Sequence, residues 1–358
     1  MFDFDISIPS LASLLGFAPA QAATMPIPEP VSVLVYQGKN ISADIAPYLK
    51  QIEYTDALEG ESDSLDITLA DPERKWSDAW YPDHGDKITA SMGYLNAALM
   101  PCGEFEVDEV ELSGSRGSGD EVVIKALGAG VSSAKRTKQA KAYDATTLKG
   151  IAEIIAKKHK LMLKGKIEDI KITRVTQAYE TDLAFLKRIA GEYGYAFSMR
   201  GKVMSFYKRT ELKDAKSVVV ITREDVESYR FRDKTNNIVK SATVAYHDPK
   251  TKKTHKHTAK GKSGKSSRSS ADEHKVHVRA ENPQQAKLKA EAAESRHNED
   301  QTSAELSLIG SPVLMAGVAV VLSGFGKYDG KYTINKSRHS IGRGSGYTTN
   351  IELKRVRE

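Results

Sequence analysis

The chain has 358 residues, 53 Lys/Arg against 47 Asp/Glu for a net charge of +6, 40% hydrophobic residues and one cysteine. That size accommodates two or more domains, and the composition is that of an ordinary globular protein. A lone Cys102 excludes an intramolecular disulfide framework and a cysteine-rich zinc site, and no run approaches the ~20 apolar residues of a membrane span, so no membrane anchor is expected.

Charge is distributed unevenly. Residues 1–130 carry 7 Lys/Arg and 22 Asp/Glu, a net of −15, whereas residues 131–358 carry 46 and 25, a net of +21. A basic remainder suits a nucleic-acid partner. It equally suits an acidic head meeting a basic tail in a ring of identical chains. For any single charge run, a solvated face is the default reading.

In chain order, residues 6–23 (ISIPSLASLLGFAPAQAA) are an apolar stretch ending in small residues. A secretory signal needs a positive leading region, yet only Asp3 and Asp5 precede the run. Residues 1–30 are therefore read as an arm that docks on a neighbouring subunit or partner, closing with the stiff Pro26, Pro28, Pro30 segment.

Short strands follow at 31–37, 48–55, 65–70, 86–94, 104–112 and 121–128, separated by turn signals such as Gln37-Gly38, Asp71-Pro72 and His84-Gly85. Six such strands predict an antiparallel barrel or sandwich. In EFEVDEVEL the apolar phase slips from Phe105 and Val107 to Val110 and Leu112, which predicts a bulge near Asp108-Glu109. Glu104, Glu106, Asp108, Glu109 and Glu111 alternate with apolar residues, the pattern of a wet strand face rather than of a glycosidase pair.

The period then changes to helical. Over 142–163, Leu148, Ile151, Ile155 and His159 fall on one stripe, with Asp144 or Thr146 placed to cap. Over 180–195, Thr181 caps, Leu183, Leu186, Ile189 and Tyr193 form the stripe, and Gly194 ends the helix. A hairpin at 195–207 turns at Arg200-Gly201. Strands return at 217–222, 228–233, 238–246 and 274–280. Asn282 then caps a helix with Pro283 at its first position and Gln285 at its third, running to about His297 with Ala286, Ala290 and Ala293 on one face. Strands at 303–309, 317–323, 330–337 and 347–355 close the chain.

One motif needs testing against its surroundings. AKGKSGKSS (259–267) contains the letters A-x-x-x-x-G-K-S of a phosphate-binding loop. A working loop needs a buried strand leading in and a helix leading out. Here DPKTKKTHKHT precedes and SRSSADEHK follows, and neither supplies one. Residues 249–271 hold eight Lys/Arg and no acid, so 249–273 is read as a flexible basic loop. His255 and His257 share that tract, but four nearby lysines repel a cation and no carboxylate completes a ligand set. Phosphate contact with nucleic acid needs only charge and remains an alternative, without interleaved aromatics for base stacking. Cys102, between Pro101 and Gly103, reads as an exposed turn cysteine. No catalytic, cofactor or metal residues are assigned.

The most specific block is GSPVLMAGVAVVLSGFGKYDGKYTINKSRHSIGRGSGYTTNIELKRV (310–356). Its elements Gly310-x-Pro312-x-Leu314, Gly330-x-Tyr332-x-Ile334, His339, Gly346-Tyr347-x-Thr349 and Leu353-x-Arg355, with ETDLAFLKRIAGEYG (180–194) and TLKGIAEIIAKKHKL (147–161), resemble the phage late-control D family, hubs of contractile tail baseplates. On the residues alone, Gly330 and Gly346 open strands at tight turns, Tyr332/Ile334 and Ile351/Leu353 alternate inward, and His339 is a structural hydrogen-bonding residue.

The resemblance implies a fold similar to the base of VgrG: mainly β with an α+β insert, two β-barrel tube-type domains plus a small α/β domain. On this chain that divides as arm 1–30, first barrel 31–140, insert 141–210 and second barrel 211–358. It implies a homotrimer whose ring adapts a sixfold tail tube to a threefold spike. The partners implied are the central spike protein, a tail tube or tube-initiator protein and other baseplate proteins, with transient DNA passage through the ring, in the virion. No enzyme activity and no cofactor are expected. The alternatives are a nucleic-acid-binding module using the basic loop and a tail-associated cell-wall hydrolase.

Overall fold

The computed structural model describes residues 28–59, 62–117, 119–128, 137–234, 239, 241–248, 252–260, 273–276, 280–299 and 301–356. Nearly all of the arm and Gly264-Lys265-Ser266 of the phosphate-loop letters lie outside them. The fold is mainly β, with few helices and large antiparallel sheets.

The first group of strands is β1 (Pro30–Tyr36), β2 (Lys39–Asn40), β3 (Leu49–Ala57), β4 (Ser64–Ala70), β5 (Lys87–Tyr94), β6 (Met100–Ser115) and β7 (Gly119–Gly128), with a single helical turn α1 (Ser42–Ile45). They pair antiparallel in the order β3-β4-β7-β6-β5-β1-β2. Period-two alternation decides which side chains point inward: Leu65, Ile67 and Leu69 of β4 are buried with Asp66 and Thr68 between them. The bulge expected in β6 falls between Val107 and Glu109. Beyond it, Val110 is half-buried and Leu112 is exposed.

A second group follows: β8 (Gln139–Thr147), α2 (Leu148–Lys158), β9 (Met162–Lys164), β10 (Lys171–Glu180), α3 (Asp182–Glu192), β11 (Tyr195–Arg200), β12 (Val203–Lys208) and α4 (Arg209–Asp214). The first helix starts later than its periodicity suggested. Residues 142–147 pair with β10 as part of β8, burying Tyr143, and the cap is Thr147 rather than Asp144 or Thr146. Its hydroxyl accepts the Gly150 N–H at 3.0 Å. Thr181 caps α3 as expected, accepting from the Ala184 N–H at 3.2 Å, and Gly194 leaves the helix with φ +80°.

The third group is β13 (Val219–Thr222), β14 (Val226–Asp233), β15 (Ser241–Asp248), β16 (Lys253–Lys260), β17 (Glu273–Val276), α5 (Pro283–Glu299), β18 (Thr302–Ile309), β19 (Ala319–Ser323), β20 (Gly330–Gly342) and β21 (Gly346–Arg355). Strands β14-β18-β21-β20 are antiparallel neighbours, and β19 pairs with both β20 and β13. Tyr332, Ile334, Ile351 and Leu353 are all buried here, as their alternation predicts.

The basic tract departs from the expected loop. Lys253–Lys260 is a strand registered along β15 from Ser241↔Lys260 to Asp248↔Lys253. It is an edge strand held along one side by β15, and of its side chains only Ala259 is buried, in a small core with Val244, Ala280 and, from α5, Ala286 and Ala290. One buried alanine leaves no apolar alternation in the sequence, which is why the strand reads as a loop.

Strand β20 organises the whole. Its first residues pair with β19 (Gly330↔Leu322 to Thr333↔Ala319) and its last with β3 (Lys336↔Ala57 to Gly342↔Gln51). The changeover lies at a register shift between Ile334 and Lys336, where Leu58 N–H donates to the Asn335 carbonyl at 2.9 Å. One 13-stranded sheet thereby carries two separate apolar cores, one built on β1–β7 and one on β13, β18, β19, β20 and β21. The α/β module holds a third core of its own.

Candidate functional site: the junction of the two sheet cores

Among the described residues, the buried polar chemistry concentrates where β3, β20 and the α/β module meet. Strand β3 reads Ile52-Glu53-Tyr54-Thr55-Asp56, so Asp56 falls in the same inward phase as Ile52 and Tyr54. It is fully buried, and Asp63 beside it is nearly so. Arg200, the last residue of β11, reaches across from the module. Its Nη2 donates to Asp56 Oδ1, and its Nε stands 3.3 Å from Asp63 Oδ2. Asp56 also accepts the Ala316 N–H at 2.9 Å, while Asp63 accepts the Ala57 N–H and the Tyr54 hydroxyl, each at 3.4 Å. Burial raises the pKa of both carboxyls against the pull of Arg200. Asp63, which also feels the charge of Asp56, is pushed up to about 6.

On the β20 side, His339 lies directly opposite Tyr54 and stacks on it with ring centroids 6.2 Å apart. Its Nδ1 lies 3.0 Å from the Tyr347 hydroxyl and 3.1 Å from Thr349 Oγ1. Burial pushes its pKa down to about 4, so the imidazole is neutral at pH 7. A neutral ring wedged between β3 and β21 holds strands together, as a structural hydrogen-bonding residue does.

A second ionic network fastens the module. Arg209, at the start of α4, donates to Glu59 after β3 and to Glu299 at the end of α5. Lys213 Nζ reaches Ser295 Oγ at 2.7 Å, and buried Lys289 pairs with Glu192 at 3.0 Å. Glu281 accepts the Thr173 and Arg174 N–H groups at 2.6 and 3.0 Å. All three parts of the chain are therefore cross-tied, and part of the charge imbalance is consumed inside one molecule.

The residues weighed for chemistry fall elsewhere. Cys102 is not at an exposed turn: it lies inside β6 at 1% exposure, and burial pushes its thiol up to about 12. The β-strand phase of Met100, Cys102 and Phe105 around a Gly103 with φ +113° explains this, because all three side chains enter the first core. Of the acidic row, Glu104 pairs with Lys87 at 3.1 Å, and Glu109 and Glu111 share Lys125 at 3.4 and 3.0 Å. They are exposed surface pairs. His255 stacks on Tyr246 in the β15–β16 pair, with ring centroids 5.2 Å apart. Among the described residues no group of three or more His, Cys, Asp or Glu is placed to hold a metal ion.

The family model for the phage tail baseplate hub (GPD) matches residues 107–345, well over half of the sequence. The chain belongs to that family. Over 208 residues it is 27% identical to the probable baseplate hub protein of Escherichia phage 186 and 30% identical to that of Escherichia phage P2. Those alignments cover 56% of this chain and 52% of each relative, so the chain spans about half the length of the curated relatives it matches. Its fold is similar to a tail protein from Neisseria meningitidis MC58 (TM-score 0.66, 13% identity, 91% of this chain and 96% of that one). It is also similar to the 43 kDa tail protein of prophage MuSo2 from Shewanella oneidensis (TM-score 0.67, 16% identity, 91% and 98%). A component of the type VI secretion system, Escherichia coli c3393, follows at TM-score 0.56 (14% identity, 87% and 74%).

Within this baseplate hub chain, Gly330 and Gly346, two of the residues on which the resemblance rested, take φ of +137° and +67° at the turns where β20 and β21 begin. Of the residues that meet in the Arg200 clasp, Arg200 reads in the sequence only as a hairpin turn, and Asp56 and Asp63 belong to no motif. The available signal was a carboxylate in core phase on β3, since Asp56 continues the Ile52, Tyr54 alternation.

Proposed function

We propose that this chain is a structural hub of a contractile tail, three copies of which close into a ring. Each copy contributes two β units, so three copies present six around the axis, and the ring adapts a sixfold tail tube to a threefold spike. The single observation that carries this reading is family membership combined with β20, which joins two apolar cores in one continuous sheet. A rigid connection is what an adaptor needs, because the angle between its two tube-like units sets the symmetry it presents.

On this reading the first unit comprises residues 31–140, the α/β insert 141–210 and the second unit 211–358; the cores of the first unit and the insert support that division, and the second unit holds two, the sheet core and the small core around Val244 and Ala286. The partners are the spike, a tube or tube-initiator protein and other baseplate proteins, and DNA passes through the ring during delivery. The chain's place is in the virion, and its role is mechanical rather than enzymatic.

Mass measurement in solution tests the reading. A particle of three times 39.3 kDa is expected. A chain that stays monomeric from micromolar to high micromolar concentration overturns it.

A further inference from the structure

Both tryptophans of the chain, Trp76 and Trp80, lie in one loop between β4 and β5. The loop is built to hold them still. Buried Asp71 accepts the Trp76 N–H at 3.0 Å, the Ser77 N–H at 3.0 Å and the Ser77 hydroxyl at 2.8 Å. Trp76 and Trp80 meet edge to face at 5.3 Å, and Tyr48 meets them at 6.1 and 5.9 Å. The result is an aromatic cluster of Tyr48, Trp76 and Trp80 whose outer ring remains in water, Trp80 being 44% exposed, and Tyr81, the next residue, is 46% exposed beside it in sequence. The Trp76 indole N–H is buried without an acceptor among the described residues.

An exposed, preorganised Trp/Tyr pair is the composition of an interface centre, where large rigid rings bury much area at little entropic cost. Its electrostatics select the partner. Residues 71–86 hold five acids and two bases; Glu73 is paired with Lys75, and exposed Asp78 and Asp83 stand two residues to either side of Trp80 and Tyr81 in sequence. The rings already accept a cation, since Lys75 Nζ lies 5.1 Å from the Trp80 ring centroid and 5.9 Å from that of Tyr48. The complementary surface is therefore basic, and residues 131–358 of this same chain carry a net charge of +21.

We propose that the Trp80/Tyr81 patch is the docking surface for a second copy of this chain, which presents Lys or Arg side chains of its basic C-terminal part. An acidic aromatic patch does not complement itself, so the contact is heterologous, head to tail, the kind that closes rings. This inference rests on the ring reading and adds to it the loop that makes the contact.

Tryptophan emission tests it directly, because the only two fluorophores of that type sit in the patch. Mass and acrylamide quenching are measured on the full chain across a concentration series. The expected result is that growth above 39.3 kDa coincides with a blue shift and reduced quenching. The double variant Trp80→Ala/Tyr81→Ala should need about tenfold more protein to assemble, as loss of a hot spot requires. Unchanged circular dichroism is the folding control, and Trp76 remains as its reporter. A chain that assembles with quenching unchanged, and whose variant assembles equally well, overturns the patch and leaves the ring reading intact. A chain that never assembles overturns both.

Discussion

Arg200 and Asp56, separated by 144 positions in sequence, are joined by a hydrogen-bonded ion pair that pins the tip of the α/β module to the strand at the centre of the sheet. Asp56 is fully buried, so bulk solvent does not reach it to replace that guanidinium. Removing one member of such a pair is costly because the other is left charged and buried, and the partial exposure of Arg200, at 44%, moderates the effect. Arg200→Met should destabilise the protein by about 2–3 kcal/mol at pH 7.5. The loss should shrink toward pH 5, as Asp63, with its pKa raised to about 6, takes up a proton. Urea denaturation at the two pH values checks this; an equal loss at both would show that the pair matters only by packing.

Two buried groups give stability opposite pH dependences. Asp63 has a folded-state pKa raised from 3.8 to about 6, so its contribution is present at low pH and is lost as pH rises through that window. His339 has a folded-state pKa lowered from 6.5 to about 4, so its contribution is complete above pH 6.5 and is lost as pH falls toward 4. The two partly cancel in the wild type. Asp63→Asn should therefore expose the histidine limb and steepen the fall in stability between pH 6.5 and pH 4.5. His339→Gln should remove that limb. Denaturant midpoints across this range measure both, and parallel curves for wild type and Asp63→Asn would overturn the assignment.

What the sequence made legible follows from how far each feature depends on distant partners. The strands of the first sheet are written in local alternation, and the β6 slip at Val107 was visible because the apolar phase itself changes there. Thr181 and Gly194 mark helix ends through local chemistry of their own, the first by its side-chain hydroxyl and the second by its positive φ. Strand β16 was not legible, because Lys253–Lys260 owes its conformation to hydrogen bonds from β15 and buries only Ala259. Cys102 reads as a turn because Pro101 and Gly103 flank it, yet the bend between β5 and β6 lies earlier, at 95–99. The Arg200 clasp was invisible for a related reason: only the folded topology brings residue 200 to residue 56.

Asn298 shows how one side chain does the work of a strand neighbour. Its Nδ2 donates to the Val239 carbonyl and its Oδ1 accepts the Val239 N–H, both at 3.0 Å, just ahead of β15. Both residues are buried, so no solvent stands ready to replace these bonds. Asn298→Ala should cost about 2–3 kcal/mol by leaving a donor and an acceptor unsatisfied. Amide exchange should also accelerate along Ser241–Asp248, while β3 and β20 remain protected. Uniform acceleration across the chain would instead mean that the residue supports global stability alone.

Gly310 sits against the aromatic ring that closes the His339 contact. A Cβ added there would lie 2.0 Å from Tyr347 Cγ and 2.3 Å from its Cδ1, far inside contact distance. The Gly310 N–H donates to the Tyr347 carbonyl at 2.8 Å and the Gly310 carbonyl accepts the Tyr94 hydroxyl at 2.8 Å, so the backbone cannot retreat without breaking both. Gly310→Ala must displace the Tyr347 ring, whose hydroxyl holds His339. Overpacking of this kind costs about 1–3 kcal/mol. The more specific consequence is that His339, with its hydrogen bond loosened and water admitted, should titrate closer to its ordinary value. The imidazole resonances of Gly310→Ala measured by NMR between pH 4 and pH 7 decide the matter: a midpoint above that of the wild type is expected, and an unchanged midpoint would show that the ring moves without opening the site.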